Sequence, residues 1–258
     1  WVAIAYGNGK FVTVGKNLNG DSNFAAYSTS ATDWVASSSG TGAVNDEHRN
    51  WLDVTFGAGK FVAVADDDPT PLTNGATAGY RVMYSEDGVT WEFTPAASLT
   101  NGWRGVTYGN GKFVAVSETG DGNQAMYSYD GINWLAGTTP AGSQEWSGVC
   151  YANGLFVAVA QTGDIRVMTS IDGITWTHVE RTPNITRWLR VRYGNGVFVA
   201  FGFSGTEGKI ITSRDGFVWT ERTAPDQSWS DGAYGKGIHV TIGFSGDNRV
   251  ATSGVYEY

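Results

Sequence analysis

The chain has 258 residues, of which 16% are charged and 14% aromatic, with 36 glycines and a net charge of -8. That balance excludes intrinsic disorder and disfavours duplex nucleic acid or an anionic membrane surface as the main partner, since both are held by Lys and Arg. Cys150 is the only cysteine, so the fold contains no intramolecular disulfide and does not depend on an oxidising compartment.

No window of 18 apolar residues and no signal-peptide pattern is present, so membrane insertion is not expected. The chain opens at Trp1 inside a repeating pattern, without Met, which makes a processed or excised segment the expected origin. A glycosylation sequon, Asn184-Ile185-Thr186, would matter only in a eukaryotic secretory protein.

The first predicted elements are two strands around YGNGKFVTV at 6–14, and this stretch returns five times. The copies are FGAGKFVAV (56–64), YGNGKFVAV (108–116), YANGLFVAV (151–159), YGNGVFVAF (193–201) and YGKGIHVTI (234–242). The repeats run over 1–50, 51–102, 103–145, 146–187, 188–228 and 229–258. In the third repeat, Arg104 to Tyr108 is a short β-prone run. Gly109-Asn110-Gly111 supplies the positive-φ positions of a tight hairpin, and Lys112 to Val116 runs back. A third strand, Ala125 to Tyr127, leads to a second hairpin signal at Asp130-Gly131 and a fourth strand carrying Trp134.

All eleven tryptophans follow the repeat. Trp1, Trp51, Trp103, Trp146, Trp188 and Trp229 each stand five residues before the aromatic that opens the motif. Trp34, Trp91, Trp134, Trp176 and Trp219 each stand six residues after a serine. Side chains of that size in identical places are expected to pack between units rather than to act separately. Six four-stranded antiparallel units predict an all-β fold, a six-bladed β-propeller forming one domain. The sixth repeat lacks the Asp-Gly turn and the last Trp, ending in VYEY (255–258) as a shortened outer strand, and the first has Ser30-Ala31 in place of Asp-Gly. These two blades are expected to meet at ring closure.

SEDGVTW (85–91), SYDGINW (128–134), SIDGITW (170–176) and SRDGFVW (213–219) resemble the Asp-box of bacterial neuraminidase repeats, with one residue fewer between Asp and Gly. With the recurrent YGNGKFVAV, the chain resembles Asp-box-like propeller modules of bacterial surface proteins and phage tail or fibre proteins. The resemblance implies a propeller, often carbohydrate binding, and a structural role for Asp87, Asp130, Asp172 and Asp215 in tying down their own turns.

In a four-stranded blade the two invariant hairpins share one face, and the second-to-third loops share the other with the links between blades. The spacing from motif aromatic to serine varies on that second face from 19 residues (151 to 170) to 29 (56 to 85). Variable loops on a rigid frame are where recognition is expected. Three features stand out there. Asp66, Asp67 and Asp68 in DDDPTP offer oxygen ligands to calcium, or form a solvated acidic turn; the run lacks the alternation of an EF-hand loop. Arg81, Arg166, Lys209 and Arg249 enter the third strand, with Gln124 in the third repeat. Asp121, Asp164 and Asp247 precede three of these five residues, so each base either holds a ligand carboxylate or hydroxyls or pairs with its own turn. Asp53, Arg190, Arg192 and Asp231 place charge on the innermost strands, for a ligand or for pairing with one another.

The reading that joins these features is a non-catalytic module recognising a glycan or cell-surface partner. It would sit on a bacterial surface protein or a phage tail appendage, at the cell surface, extracellular or in a virion, beside other modules. A sialidase-type glycoside hydrolase is the alternative in another class. Arg190 and Arg192 suit its arginine cluster, but no innermost strand carries a Glu, and the motif tyrosines are repeat residues. A structural assembly unit is the third reading. His48, His178 and His239 fall at unrelated positions and suggest neither zinc nor a triad, and no cofactor other than calcium is expected.

Overall fold

The computed structural model describes residues 1–16, 24–39, 49–66, 80–180, 182–183, 187–204, 207–224, 228–243 and 249–253, and these form strands and turns without a helix. Each repeat builds one antiparallel meander, so the expected all-β architecture of six blades is the observed one. The chain divides into two compact units, Trp1–Thr139 with blades 1 to 3 and Pro140–Tyr258 with blades 4 to 6.

Blade 3 shows the pattern: strands Trp103–Gly109, Lys112–Ser117, Ala125–Ser128 and Leu135–Ala136, paired in that order. Its first hairpin closes at Gly109 and Lys112, leaving a two-residue turn with φ of 47° at Asn110 and 72° at Gly111. Positive φ at both positions matches the right-handed twist of the flanking strands, and Asn-Gly is the pair that tolerates it best. A bulge follows the repeat-start tryptophan on the innermost strand, between Trp103 and Gly105, and recurs at Trp51/Asp53, Trp146/Gly148, Trp188/Arg190 and Trp229/Asp231. It re-aims the next side chain, which is where Asp53, Arg190 and Asp231 stand.

The second turn is held by its own side chains. In blade 2, Ser85 Oγ donates to Asp87 Oδ1 at 2.9 Å and accepts the Gly88 N–H at 2.8 Å, while Asp87 Oδ1 accepts the N–H groups of Val89 and Thr90. The same set recurs at Ser128/Asp130, Ser170/Asp172 and Ser213/Asp215. In blade 1 Ser30 takes the aspartate's part, its Oγ accepting the N–H groups of Thr32 and Asp33. For Asp130, burial disfavours the carboxylate. Hydrogen bonds from Asn133, Ile132 and Ser128 outweigh it and hold the carboxyl below the ordinary range. Asp87 is held low by the same balance, and Asp215 chiefly by the Val218 and Phe217 N–H groups.

At three of the four blade junctions within the units the contact is an aromatic laid over a glycine; at the fourth, between blades 4 and 5, Ala152 stands in the glycine's place and packs in one cluster with Tyr193. A Cβ on Gly7 would lie 2.0 Å from the Phe56 ring; Gly57 meets Tyr108 at 2.0 Å and Gly194 meets Tyr234 at 2.2 Å. The motif aromatic of each blade thus completes the hairpin of the blade before it. The repeat-start tryptophans Trp51, Trp103, Trp146, Trp188 and Trp229 are fully buried, as the packing assignment requires. Two tryptophans depart from it: Trp1 is 67% exposed and Trp34 41% exposed, because both belong to blade 1, which has no blade before it in its unit.

Three other details differ from the sequence expectation. Trp134 precedes the fourth strand instead of lying in it, since Leu135–Ala136 is only two residues long. Blade 2 has a fifth strand, Ser38–Ser39, which leaves blade 1 to pair in parallel with Thr90–Thr94. Blade 6 has three strands among the described residues, and VYEY lies outside them.

Replacing Trp188, which packs on Val157 and Val159 of blade 4, with Ala should cost about 3–5 kcal/mol in denaturant melts. The turn aspartates make stability pH-dependent. Because their folded pKa values lie below the unfolded value of about 3.9, they stabilise the fold above that pH and lose the effect as pH falls through the folded values. Asp130→Asn should therefore lower the melting temperature at pH 7, and its deficit against the natural protein should shrink as pH is taken down towards about 2.

Candidate functional site

The charged residues of the innermost strands join neighbouring blades. Asp53 is 4% exposed, its Oδ1 accepting the Val54 N–H and its Oδ2 the Val106 N–H of blade 3, both at 3.0 Å. Arg190 of blade 5 donates through Nη1 to the Ser147 carbonyl of blade 4 at 2.7 Å and to the Leu189 carbonyl at 3.0 Å. Arg192 Nη2 meets Asp231 Oδ2 of blade 6 at 2.7 Å, and Asp231 Oδ1 accepts the Gly232 N–H at 2.8 Å. Small residues fill these positions elsewhere, as at Gly148, where a Cβ would lie 2.9 Å from the Arg190 backbone. A charge is tolerated because a backbone group or an opposite charge on the next blade receives it.

The bases entering the third strand are also engaged. Buried Arg81 donates to the Asn101 carbonyl at 2.8 Å, and Arg166 donates to the carbonyls of Gly163 at 3.1 Å and Gln161 at 3.0 Å. Burial and the neighbouring Arg187 push the Arg166 pKa down, and Asp164 opposes them. The expected pairing of each base with its turn aspartate is therefore incomplete: loop carbonyls carry much of it, since a guanidinium has five donors to satisfy. Lys209 lies 3.2 Å from both Glu207 and Glu221. Arg249 is exposed, and its carbonyl accepts the Gly243 N–H. Asp66 is buried and its N–H donates to the Asn50 carbonyl, while Asp67 and Asp68 lie outside the described residues. Cys150 is buried, and its thiol is pushed up to about 12 by burial, opposed by Arg192, which keeps it a thiol at neutral pH.

Sequence reasoning missed a concavity of the second unit. A cleft of about 960 Å³ runs between blades 5 and 6, floored by Val197, Val199, Phe201 and Ile210 and flanked by Glu221, Arg222, His239 and Ala251. At three junctions within the units the glycine of the later blade's Ser-x-Asp-Gly turn lies on the second strand of the blade before. Gly88 meets Val12, Gly131 meets Val62, and Gly216 meets Leu155 and Val157. The tryptophan that follows packs in the same cluster, Trp134 with Val62 and Trp219 with Val157. On blade 5 the equivalents Val197 and Val199 line the cleft, and the sixth repeat has Val255-Tyr256 where repeats 2 to 5 have Asp-Gly.

The cleft borders the third strand of blade 6, Val250–Thr252. In blade 3 the third strand bonds its fourth through Met126 and Tyr127, and the corresponding residues of blade 6 are Ala251 and Thr252, both in the cleft wall. Asn195, Asp215 and Gly237 also line it, so it reaches the end of the invariant hairpins and not only that of the variable loops. Burial lowers the His239 pKa, partly offset by a hydrogen bond with the Gly194 backbone, leaving a neutral imidazole in the wall at pH 7. The visible signal was Val255-Tyr256 in place of Asp-Gly in the sixth repeat, which concerns the junction with blade 5.

Asp53→Ala would orphan two buried N–H groups and should cost roughly 2–5 kcal/mol in chemical denaturation, with Asn recovering part of the loss.

No family model and no curated protein matches the sequence. Solved structures are similar in fold. A structure titled YCF48 bound to D1 peptide superposes with a TM-score of 0.66 at 17% identity, covering 98% of this chain and 77% of that one. The Cps50 (Swd1) β-propeller domain of Myceliophteria thermophila gives a TM-score of 0.61 at 9% identity, covering 94% and 79%. Virginiamycin B lyase of Staphylococcus aureus gives 0.59 at 11% identity, covering 94% and 91%. Identities this low establish the fold alone, and the fold is that of a six-bladed β-propeller.

Proposed function

We propose that this chain is a non-catalytic recognition module that binds an extended polypeptide segment of a partner protein in the cleft between blades 5 and 6. The observation that carries this is the coincidence of two features in one place. An apolar floor of Val197, Val199, Phe201 and Ile210 lies beside Ala251 and Thr252, which pair with Thr241 and Val240 on the inner side of their strand. An extended peptide supplies both needs: main-chain N–H and C=O groups for Ala251 and Thr252, and an aromatic side chain for Val197 and Val199. Glu221 and Arg222 at the rim supply charges of both signs for choosing among sequences. YCF48, similar in fold, has been solved with a peptide bound, a precedent that supports a polypeptide over a sugar.

The four Ser-x-Asp-Gly turns are Asp-box-like in this reading and purely structural, their aspartates being spent on their own turns. Arg190 and Arg192, the pair suited to a sialidase-type site, are engaged with backbone carbonyls and Asp231 in the same sense. We place the module in a bacterial surface protein or a phage tail appendage, where recognition propellers are carried beside other modules.

Selection from a displayed library of linear peptides should return sequences with a central aromatic flanked by β-formers. Val197→Trp, which fills the floor, should weaken the selected peptides at least about tenfold without lowering the melting temperature. Specific hits on a glycan array, combined with peptide binding that Val197→Trp leaves unchanged, would overturn the assignment in favour of a sugar ligand.

A further inference from the structure

One junction within the units brings two cations together. The positions to compare are the residue entering the third strand of a blade and the residue before the repeat-start tryptophan of the next blade. They are Arg81 and Gly102 between blades 2 and 3, Lys209 and Ser228 between blades 5 and 6, and Arg166 and Arg187 between blades 4 and 5. A single base is answered by its surroundings: Arg81 donates to the Asn101 carbonyl, and Lys209 lies 3.2 Å from both Glu207 and Glu221. The core of the junction of blades 4 and 5 fixes both arginines. Val167 and Trp188 pack in one cluster with Val157 and Val159, and Arg166 and Arg187 are the residues just before Val167 and Trp188. The Arg166 carbonyl accepts the Ala160 N–H and Arg187 pairs with Phe203, which puts both at the variable-loop end of their strands.

Arg166 is tethered. Its Nε donates to the Gly163 carbonyl at 3.1 Å and its Nη1 to the Gln161 carbonyl at 3.0 Å, which fixes the plane of the guanidinium. Arg187 is exposed. Burial and then the charge of Arg187 push the Arg166 pKa down, and the exposed Asp164 opposes them. Two positive charges against one negative leave an excess of one, in a chain whose net charge is -8. The strand that begins at Arg187 adds to it, since RWLRVRYG holds three arginines and no acid. The other two are directed elsewhere, Arg190 to the Ser147 and Leu189 carbonyls and Arg192 to Asp231 of blade 6.

We propose that Arg166 and Arg187 form a site for a single carboxylate at the variable-loop end of the junction of blades 4 and 5. A carboxylate is planar, presents two acceptor oxygens to the fork of a guanidinium, and carries the one negative charge that the local excess calls for. A phosphate dianion exceeds that excess and meets the repulsion of Asp164. The carboxylate also relieves the repulsion between the two cations, so each arginine contributes more with the ligand present than without it. Because the Arg166 plane is already fixed by two carbonyls, less rotamer freedom is lost on binding. None of these residues lines the cleft between blades 5 and 6, so the site stands whether or not the cleft takes a polypeptide.

Amide NMR titrations test this with three probes: glutamate capped at both ends, glutamine capped in the same way, and glucuronate. Capped glutamate should give saturable shifts at Gly163, Asp164 and Trp188, and capped glutamine, which has the same shape without the charge, should give none. Arg187→Gln should weaken binding at least about tenfold. Asp164→Asn should tighten it, since the local excess rises from one charge to two. Both positions are exposed, so both variants should melt like the natural protein; Arg187→Ala and Asp164→Ser replace them if either does not. Arg249→Gln, which removes the exposed arginine entering the third strand of blade 6, should leave the titration unchanged. Tighter binding of capped glutamate or of glucuronate supports the site in either case and tells whether a polypeptide or a sugar carries the carboxylate. Shifts that do not saturate, or that sodium chloride reproduces, mean an adventitious ion only and overturn the proposal. So does an Arg187→Gln variant that binds like the natural protein, or an Asp164→Asn variant that binds more weakly.

Discussion

The packing of blade on blade depends on a motif aromatic seated on the preceding hairpin, over a glycine at three of the four junctions within the units. When Phe56 lies across Gly7 or Tyr108 across Gly57, the separation leaves no room for a single methyl group, so the neighbouring sheets approach as closely as backbone allows. That approach brings the repeat-start tryptophan onto the second strand of the preceding blade and makes the valines of both strands one continuous apolar layer. Burial of such aromatic and aliphatic area is the main favourable term in the folding of the chain. The motif repeats as a block because its parts act across the junction: the glycine serves the next blade and the aromatic serves the previous one.

Against this frame, polar residues divide by whom they serve. The turn aspartates bond within their own turns and hold the second hairpin of each blade. Asp53, Arg190, Arg192 and Asp231 reach across to the next blade, acting as directional links beside a junction whose apolar contacts have no direction. A charge on an innermost strand reads as a functional residue because burying it is costly. Here the cost is offset locally, by backbone groups that the bulge leaves facing it. The cleft between blades 5 and 6, by contrast, is floored by ordinary motif residues, Val197, Val199 and Phe201.

Periodic features were legible in the sequence because they come in copies. Six motifs with fixed spacing to tryptophan reveal strand order, both turn types and the identity of the buried face, and Asn110-Gly111 alone specifies its hairpin. What was not legible depends on single partners. Asp53 and Asp231 look alike in the chain, yet one is enclosed with two amides and the other shares an arginine at the surface. Nothing local to Ser38–Ser39 indicates that it leaves its own blade, since the parallel pairing rests on an edge provided fifty residues later by Thr90 and Trp91. The cleft was hidden for a related reason: its floor is made of Val197, Val199 and Phe201, which read in the chain as ordinary members of the motif.

The offset between ring and glycine has a consequence for how the chain is made. Gly7 and Phe56 are 49 residues apart, roughly one repeat, so a blade leaving the ribosome has its strands before it has its cover. At typical rates of synthesis the interval is several seconds, during which the glycine face of the newest blade stays wet. The unit that duplicates and the unit that folds are therefore out of phase. One repeat can form hairpins, but only the arrival of the next makes them cooperative, as in other stacked architectures where stability resides in the junctions. The parallel strand Ser38–Ser39 extends this dependence at the start of the chain, because its hydrogen-bonding partner is translated a full repeat after it.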